Sequence, residues 1–247
     1  MAALGLGAVL SGGSPPSEFL PTNIDDLVMW FAYDDGMTLD GSLINCWSAK
    51  VGSFHGVPTS VNDGSPGTDR PTFNTTHVTF DGGDDIDFRD ACSSGNLTDL
   101  TLDTSDGGYT VIGIYTDADW NGAQQALVGK YSGSTDFIRH DLTNDRYELK
   151  INNNTKIIDL DSALTDDEYY SIMLTHATDG TITLYVNNVA QTDTETLAAT
   201  NDLTISAIGQ RSTADRLSGN IKHVLAYDRE LTSDERSQFQ DWAAEQF

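Results

Sequence analysis

Two stretches of this 247-residue chain carry side chains whose types and spacing could do chemistry. The first is FDGGDDIDF, residues 80–88. Its aspartates Asp81, Asp84, Asp85 and Asp87 offer hard carboxylate oxygens, the ligand type that Ca2+ gathers in sets of about six to eight. The spacing is not that of an EF-hand. The same residues also read as a plain turn, in which Phe80, Ile86 and Phe88 anchor two strand segments and Gly82-Gly83 reverses the chain. The second stretch is Asp117-Ala118-Asp119-Trp120-Asn121-Gly122. A sugar lays its C–H face on an aromatic ring while acids and amides take its hydroxyls. Asp117, Asp119, Trp120 and Asn121 therefore form a candidate glycan-binding set. The alternative is that Trp120 folds back to cap the edge of the domain.

Other chemistries lack their residues. No G-x-S-x-G, H-E-x-x-H or Walker A sequence occurs, and the five histidines show no ligand pairing. Lone histidines such as His176 and His223 read as packed or solvated structural residues. Cys46 and Cys92 stand far apart, without a CxxC or a His/Cys ligand spacing, which argues against a zinc site. They read either as two buried thiols or as one bridge.

The elements that must position these groups are mostly strands. From Tyr109 onward, nine short apolar runs (YTVIGIYT, QALVGKY, DFIRHDL, RYELKI, TKIIDLD, YYSIMLTH, TITLYVN, LTISAIG and IKHVLAY) are separated by Asp, Asn, Gly and Ser. In TITLYVN, Ile182, Leu184 and Val186 alternate with Thr181, Thr183 and Tyr185, the period of a half-buried strand. Asp179-Gly180 and Asn144-Asp145 mark hairpins. Upstream, residues 26–33 read as a buried strand and residues 43–47 as a shorter one. Residues 59–76 read as a long polar loop, because Pro66-Gly67 and Pro71 forbid regular structure. One helix closes the chain: Thr232 and Glu235 form a capping box, and Phe239, Trp242, Ala243 and Phe247 make one apolar stripe. Many short antiparallel strands of this kind build an all-β sandwich or jelly roll.

The net charge is -25, with 38 acidic against 13 basic residues, and only seven of the acids are glutamate. Such a field repels nucleic-acid phosphates and anionic lipid surfaces, so neither nucleic acid nor membrane insertion is expected. The leading segment MAALGLGAVLSGGSPPSEFLPT is apolar and glycine-rich, with no Lys or Arg before Lys50. It lacks the basic start of a secretory signal and the length of a membrane span. Residues 1–24 are expected to be a docking arm that orders against a partner, with residues 25–247 forming the domain. Leu4, Leu6, Val9 and Leu10 would be the partner-docking side chains. A segment folded back on its own domain is the alternative.

The landmarks of the C-terminal half are similar to those of the laminin G-like, concanavalin A-like jelly rolls. Tyr109-Thr110-Val111-Ile112 resembles the strand that opens their common core, and Leu127-Val128-Gly129-Lys130 the strand after it. Leu184-Tyr185-Val186-Asn187-Asn188 resembles their "LYVNG" hairpin, with Asn188 in place of the usual glycine. Ile208-Gly209, Gly219-Asn220-Ile221 and Tyr227-Asp228-Arg229-Glu230-Leu231-Thr232 resemble the closing signature. Upstream, Trp47, Arg70-Pro71-Thr72-Phe73 and Phe80-Asp81-Gly82-Gly83-Asp84-Asp85 resemble an N-terminal extension of such domains in bacterial and phage surface proteins.

The resemblance implies an all-β, concanavalin A-like jelly roll with an N-terminal arm and one short C-terminal helix. Glycoside hydrolases of that fold carry an ExDxxE strand, needed so that one acid protonates the leaving oxygen while the other attacks or activates water. Here Glu148, Glu168 and Glu195 are isolated, so no enzyme is expected. The expected role is a structural virion protein of a tailed phage, located on the particle surface. The arm would hold it, in several copies, to capsid, neck or tail subunits, and the domain would be displayed for adhesion to a host glycan. The alternative is a secreted or cell-surface carbohydrate-binding module.

Overall fold

The structure is a computed structural model, and it describes residues 19–63, 69–92, 95–105, 107–117, 124–133, 135–198, 200–211 and 215–247. After a short 3-10 turn at Pro21–Asn23, the chain forms β1 (Leu27–Ala32), β2 (Met37–Asp40), β3 (Leu43–Ser48) and β4 (His55–Val57). Next come a short helix α1 (Thr59–Asp63), β5 (Thr72–Asn74), β6 (His77–Asp81), β7 (Ile86–Arg89) and β8 (Leu100–Leu102). The middle of the chain supplies β9 (Tyr109–Asp117), β10 (Gln124–Gly129), β11 (Phe137–Asp141), β12 (Arg146–Ile151) and β13 (Asn154–Asp159). Then follow β14 (Tyr170–His176), β15 (Thr181–Val186), β16 (Val189–Thr196), β17 (Leu203–Ile205), β18 (Ala207–Ile208), β19 (Ser218–Tyr227) and α2 (Ser233–Ala244).

Antiparallel pairing arranges the strands as two layers of a jelly-roll sandwich. In one layer β19 lies between β9 on one side and β1 and β6 on the other, and β14, β15 and β16 continue outward from β9. In the other layer the order runs β2-β3-β4-β7-β18-β10-β11-β12-β13. β5 pairs with β6 and with β3 and so joins the layers. A separate pair, β8 with β17, closes one end.

Between the layers lies the main core, which includes Phe31, Trp47, Phe80, Phe88, Leu127, Tyr147, Leu174 and Leu184. A second apolar cluster lies on the outer face of the first layer, where Trp30, Ile112, Ile114, Met173 and Leu225 meet Phe239 and Trp242 of α2. All nine residues of β9 are therefore buried. A strand covered on both faces loses the polar-out alternation, which explains its continuous apolar run. β15 has one wetter face and keeps the alternation, with Ile182 and Leu184 fully buried.

The helix begins at the expected capping box, Thr232 accepting from the Glu235 amide. Arg229 locks this turn by pairing with Glu235 at 2.6 Å. Trp30 Nε1 donates to His223 Nδ1 at 3.3 Å, and its ring meets Trp242 edge-on at 6.0 Å. Burial pushes His223 down to about 4, so this histidine is a neutral packing residue.

Three sequence expectations need correction, and one choice left open is decided. Residues 59–76 contain α1 and β5, because Pro71 ends before the strand and β5 has partners on both sides. Phe247 is 47% exposed, so the apolar stripe of α2 ends at Ala243. Cys46 and Cys92 form the bridge of the two options left open. Closing a sequence separation of 46 removes chain entropy from the unfolded state, worth about 4 kcal/mol in the loop-closure account. Finally, residues 19–24 of the expected arm belong to the body: Phe19 and Ile24 pack in the outer cluster, and Tyr227 Oη donates to the Pro21 carbonyl at 3.0 Å.

Gly209 joins β18 to the segment that returns toward β19, with φ at 76°. A Cβ there would lie 2.5 Å from the Phe80 ring. Gly209→Ala is expected to lose about 1–3 kcal/mol from the left-handed backbone alone, and more from the displaced ring. Urea unfolding of the variant beside wild type measures this.

Candidate functional site

The acidic stretch is a turn between layers. β6 belongs to one layer and β7 to the other, and the chain reverses at Gly82, whose φ is 84°. Asp81 caps the turn by accepting from the Gly83 amide at 2.8 Å, and Asp84 accepts from the Asp81 amide at 2.8 Å. Asp85 takes the Thr59 amide at 3.0 Å and pairs with Arg216 at 2.9 Å. Asp87 accepts from Gln210 Nε2 at 2.7 Å and from Thr59 Oγ1 at 3.1 Å. Asp85 and Asp87 thus share Thr59, while Asp81 and Asp84 hold the turn's own amides. The His, Cys and acidic ligand atoms that converge among the described residues belong to Cys46, His55 and Cys92. Burial is the leading cause that pushes Asp84 and Asp87 each up to about 7, and it raises Asp85 as well.

Of the candidate glycan loop, Asp119, Trp120 and Asn121 lie outside the described residues, as do the docking candidates Leu4, Leu6, Val9 and Leu10. Asp117 ends β9 and turns inward. It is 4% exposed, and its Oδ2 lies 3.1 Å from His140 Nδ1. His140 stacks on Tyr147 at 4.7 Å, and Tyr147 shares a 2.5 Å hydrogen bond with Tyr115. Burial raises the Asp117 carboxyl despite the histidine. This network lies within the protein, so Asp117 acts as a buried partner of His140.

The more promising arrangement lies at the opposite end of β9. A groove of about 310 Å³ is lined by Thr101, Lys130, Thr135, Asp136, Asn152, Asp202 and Thr204. Local sequence builds it. Asn152-Asn153 form the tight β12–β13 turn with φ of 46° and 66°, a conformation Asn tolerates better than most side chains. Asp136 is 4% exposed and anchors that turn, its Oδ1 accepting from the Asn152 amide at 2.8 Å. It also draws in the Thr204 amide of β17 at 3.5 Å.

Beneath these acids lies Tyr109, fully buried, whose hydroxyl has no hydrogen-bond partner among the described residues. Burial and then the carboxylates of Asp136 and Asp202 push its phenol well above its ordinary range. The groove thus offers two carboxylates, an amide, an ammonium and three hydroxyls, a set suited to a ligand rich in hydroxyl groups. A second cleft, of about 270 Å³, lies beside Tyr33 and Phe73 and is rimmed by Asp34 and Asp35.

The sequence pattern of the concanavalin A-like lectin/glucanases superfamily matches residues 93–235, more than half of the chain. The chain belongs to this superfamily. No curated protein matches the superfamily member described here in sequence. Among solved structures, the sialidase of Trypanosoma rangeli superposes with a TM-score of 0.57 at 15% identity, over 87% of this chain and 32% of the sialidase. This chain therefore spans about a third of the sialidase's length. Domain 4 of AbnA is similar over 88% of this chain and 98% of that domain, with a TM-score of 0.55 at 15% identity. AbnA is a GH43 extracellular arabinanase from Geobacillus stearothermophilus, and the domain was solved in complex with arabinotriose. At such identities the likeness shows the fold.

These findings correct the expectation that the chain is not an enzyme. It rested on a missing ExDxxE strand, yet the superfamily includes glucanases, and the structural neighbours include sialidases and a domain of an arabinanase. A single signature does not speak for so varied a family.

Sequence reading missed the end groove and the Asp117–His140 network. The available signal for the groove was Asn152-Asn153, a turn pair between two apolar runs. What it could not give was the third segment, β17, which folding brings beside that turn.

The buried acids set a pH dependence. Asp84 and Asp87 have folded values near 7, above the carboxylate's ordinary 3.8, so the folded state binds more protons than the unfolded one between those limits. Their contribution is complete below about pH 4 and is lost as pH rises through 7. Asp84→Asn with Asp87→Asn is expected to flatten the decline in stability between pH 5 and pH 8, read from urea midpoints at stepped pH. A variant with the wild-type slope would place the dependence elsewhere.

Proposed function

We propose that this domain binds carbohydrate, and that the end groove is where it does so. The observation that carries the reading is the groove's side-chain set: Asp202 and Lys130 on its walls, Asn152 at its turn, and Thr101, Thr135 and Thr204 between them. Carboxylates accept from sugar hydroxyls, the Lys130 ammonium donates to hydroxyl or ring oxygens, and the Asn152 amide does both. Membership of a lectin/glucanase superfamily supports the reading, as does likeness to a domain solved with arabinotriose.

Charge narrows the ligand class. Two carboxylates against one ammonium line the groove, within a chain of net charge -25. A carboxylated or sulfated glycan would meet repulsion from both. Neutral oligosaccharides fit better than acidic ones. The fold and the relatives add nothing to the virion placement expected from the arm at residues 1–24, and glycan binding does not depend on it.

The test is an array of neutral and acidic oligosaccharides, followed by calorimetric titration of the best ligand. Lys130→Ala with Asp202→Asn is expected to weaken binding at least tenfold, about 1.4 kcal/mol, with an unchanged melting temperature. Tyr33→Ala, in the other cleft, is expected to leave affinity unaltered. Loss of binding in Tyr33→Ala alone would move the site to that cleft, and an array without any retained glycan would end the proposal.

A further inference from the structure

Four side chains from three separate stretches meet at one rim of the sandwich. Cys46 and Ser48 stand two residues apart on β3, hence on the same face of it. His55 opens β4 and pairs in register with Ser48 on one side and with Arg89 of β7 on the other. Cys92 follows β7 by three residues. His55 Nδ1 lies 2.9 Å from Ser48 Oγ and 3.3 Å from Cys92 Sγ. Ser48 Oγ is 3.5 Å from Cys92 Sγ and 3.9 Å from Cys46 Sγ. The ligand atoms of Cys46, His55 and Cys92 all fall within 4.8 Å of one another. Cys46 is buried, while His55 and Cys92 are half-buried, so the cluster is backed by protein and open to small reagents.

With the disulfide formed, the sulfurs are bonded to each other. We propose that reduction turns this cluster into a site for Zn2+, held by the thiolates of Cys46 and Cys92 and by the His55 imidazole. Ser48 Oγ would stand beside the fourth position. Two thiolates and an imidazole are a soft donor set that selects Zn2+ over Ca2+ or Mg2+.

The chemistry balances. A dithiol reductant supplies two electrons and two protons to the S–S bond and leaves as its own disulfide. The two new thiols release their protons to solvent as the metal binds. The acidic field of the chain concentrates divalent cations near its surface. The disulfide and the metal then become alternative staples, and each ties β3 to the segment after β7. The fold would keep that cross-link in oxidising and in reducing surroundings alike.

The experiment uses the full chain and Co2+ as a spectroscopic stand-in for Zn2+. Protein reduced with a phosphine and held without oxygen should bind one Co2+ per chain, giving thiolate-to-metal charge transfer and the strong visible bands of a tetrahedral site. Added Zn2+ should bleach both. Oxidised protein should give neither band. His55→Ala should bind at least tenfold more weakly, and reduced wild type should melt at a higher temperature with Zn2+ than without. A reduced protein that stays folded by circular dichroism yet gives no thiolate band would overturn the proposal. So would a His55→Ala variant with wild-type affinity, or a melting temperature that Zn2+ leaves unmoved.

Discussion

β9 is covered on both faces, and this double burial governs where the other elements can go. Its inner face meets the second layer, where Tyr115 reaches Tyr147 across the core. Its outer face carries Ile112 and Ile114 into the cluster capped by α2. An uncovered outer face would leave Trp30, Ile112, Met173 and Leu225 in water, and each such side chain is worth about 1.5–3 kcal/mol when buried. The closing helix is therefore part of the core. Its capping box and the Arg229–Glu235 pair set its starting point, and Trp242 sets its rotation against the sheet.

A strand so thoroughly buried can carry polar groups only at its ends, and β9 carries one set at each. Eight residue steps separate Tyr109 from Asp117, roughly 26 Å at the usual strand rise. At one end Asp117 meets His140 and the stacked Tyr147, a network enclosed by the two layers. At the other, the Tyr109 hydroxyl lies beneath Asp136 and Asp202, whose remaining surface faces an open groove. The same constraint yields an internal polar network at one end and a ligand-sized recess at the other. The difference comes from what lies over them. β8 and β17 stand at the groove end as a separate two-stranded pair, and the space between that pair and the β12–β13 turn remains open.

Much of this fold could be read from the chain because the signals were local. The nine runs after Tyr109 became strands, the hairpin at Asp179-Gly180 joins β14 to β15, and the Thr232–Glu235 box starts α2. β16 was harder to see. It reads VAQTDTET and is mostly exposed, so it lacks an apolar face to announce it. β5 was hidden by Pro71, which sits just before the strand, where a missing amide costs nothing. The disulfide and the groove depend on register between distant segments. Cys46 meets Cys92 because β3 pairs with β4 and β4 with β7, a relation that no spacing of cysteines reveals.

The same division bears on function. The core residues that identify the superfamily are those that any sandwich of this shape needs, so they speak for the fold and leave the ligand open. Lys130, Asn152 and Asp202 sit in turns and strand ends outside that core. Their substitution changes hydrogen-bonding groups without disturbing the packing between layers, which is how one scaffold supports many specificities. Asp136 is the exception among the lining residues. Its buried carboxylate binds the Asn152 and Thr204 amides and so fixes the groove's shape as well as its charge. A neutral residue there would release both amides at once, leaving two donors near the floor of the recess without their acceptor. The charge that would disfavour acidic glycans under the proposed function is thus also the charge that holds the groove together. On the proposed carbohydrate-binding reading, a preference for neutral sugars follows from the architecture of the site.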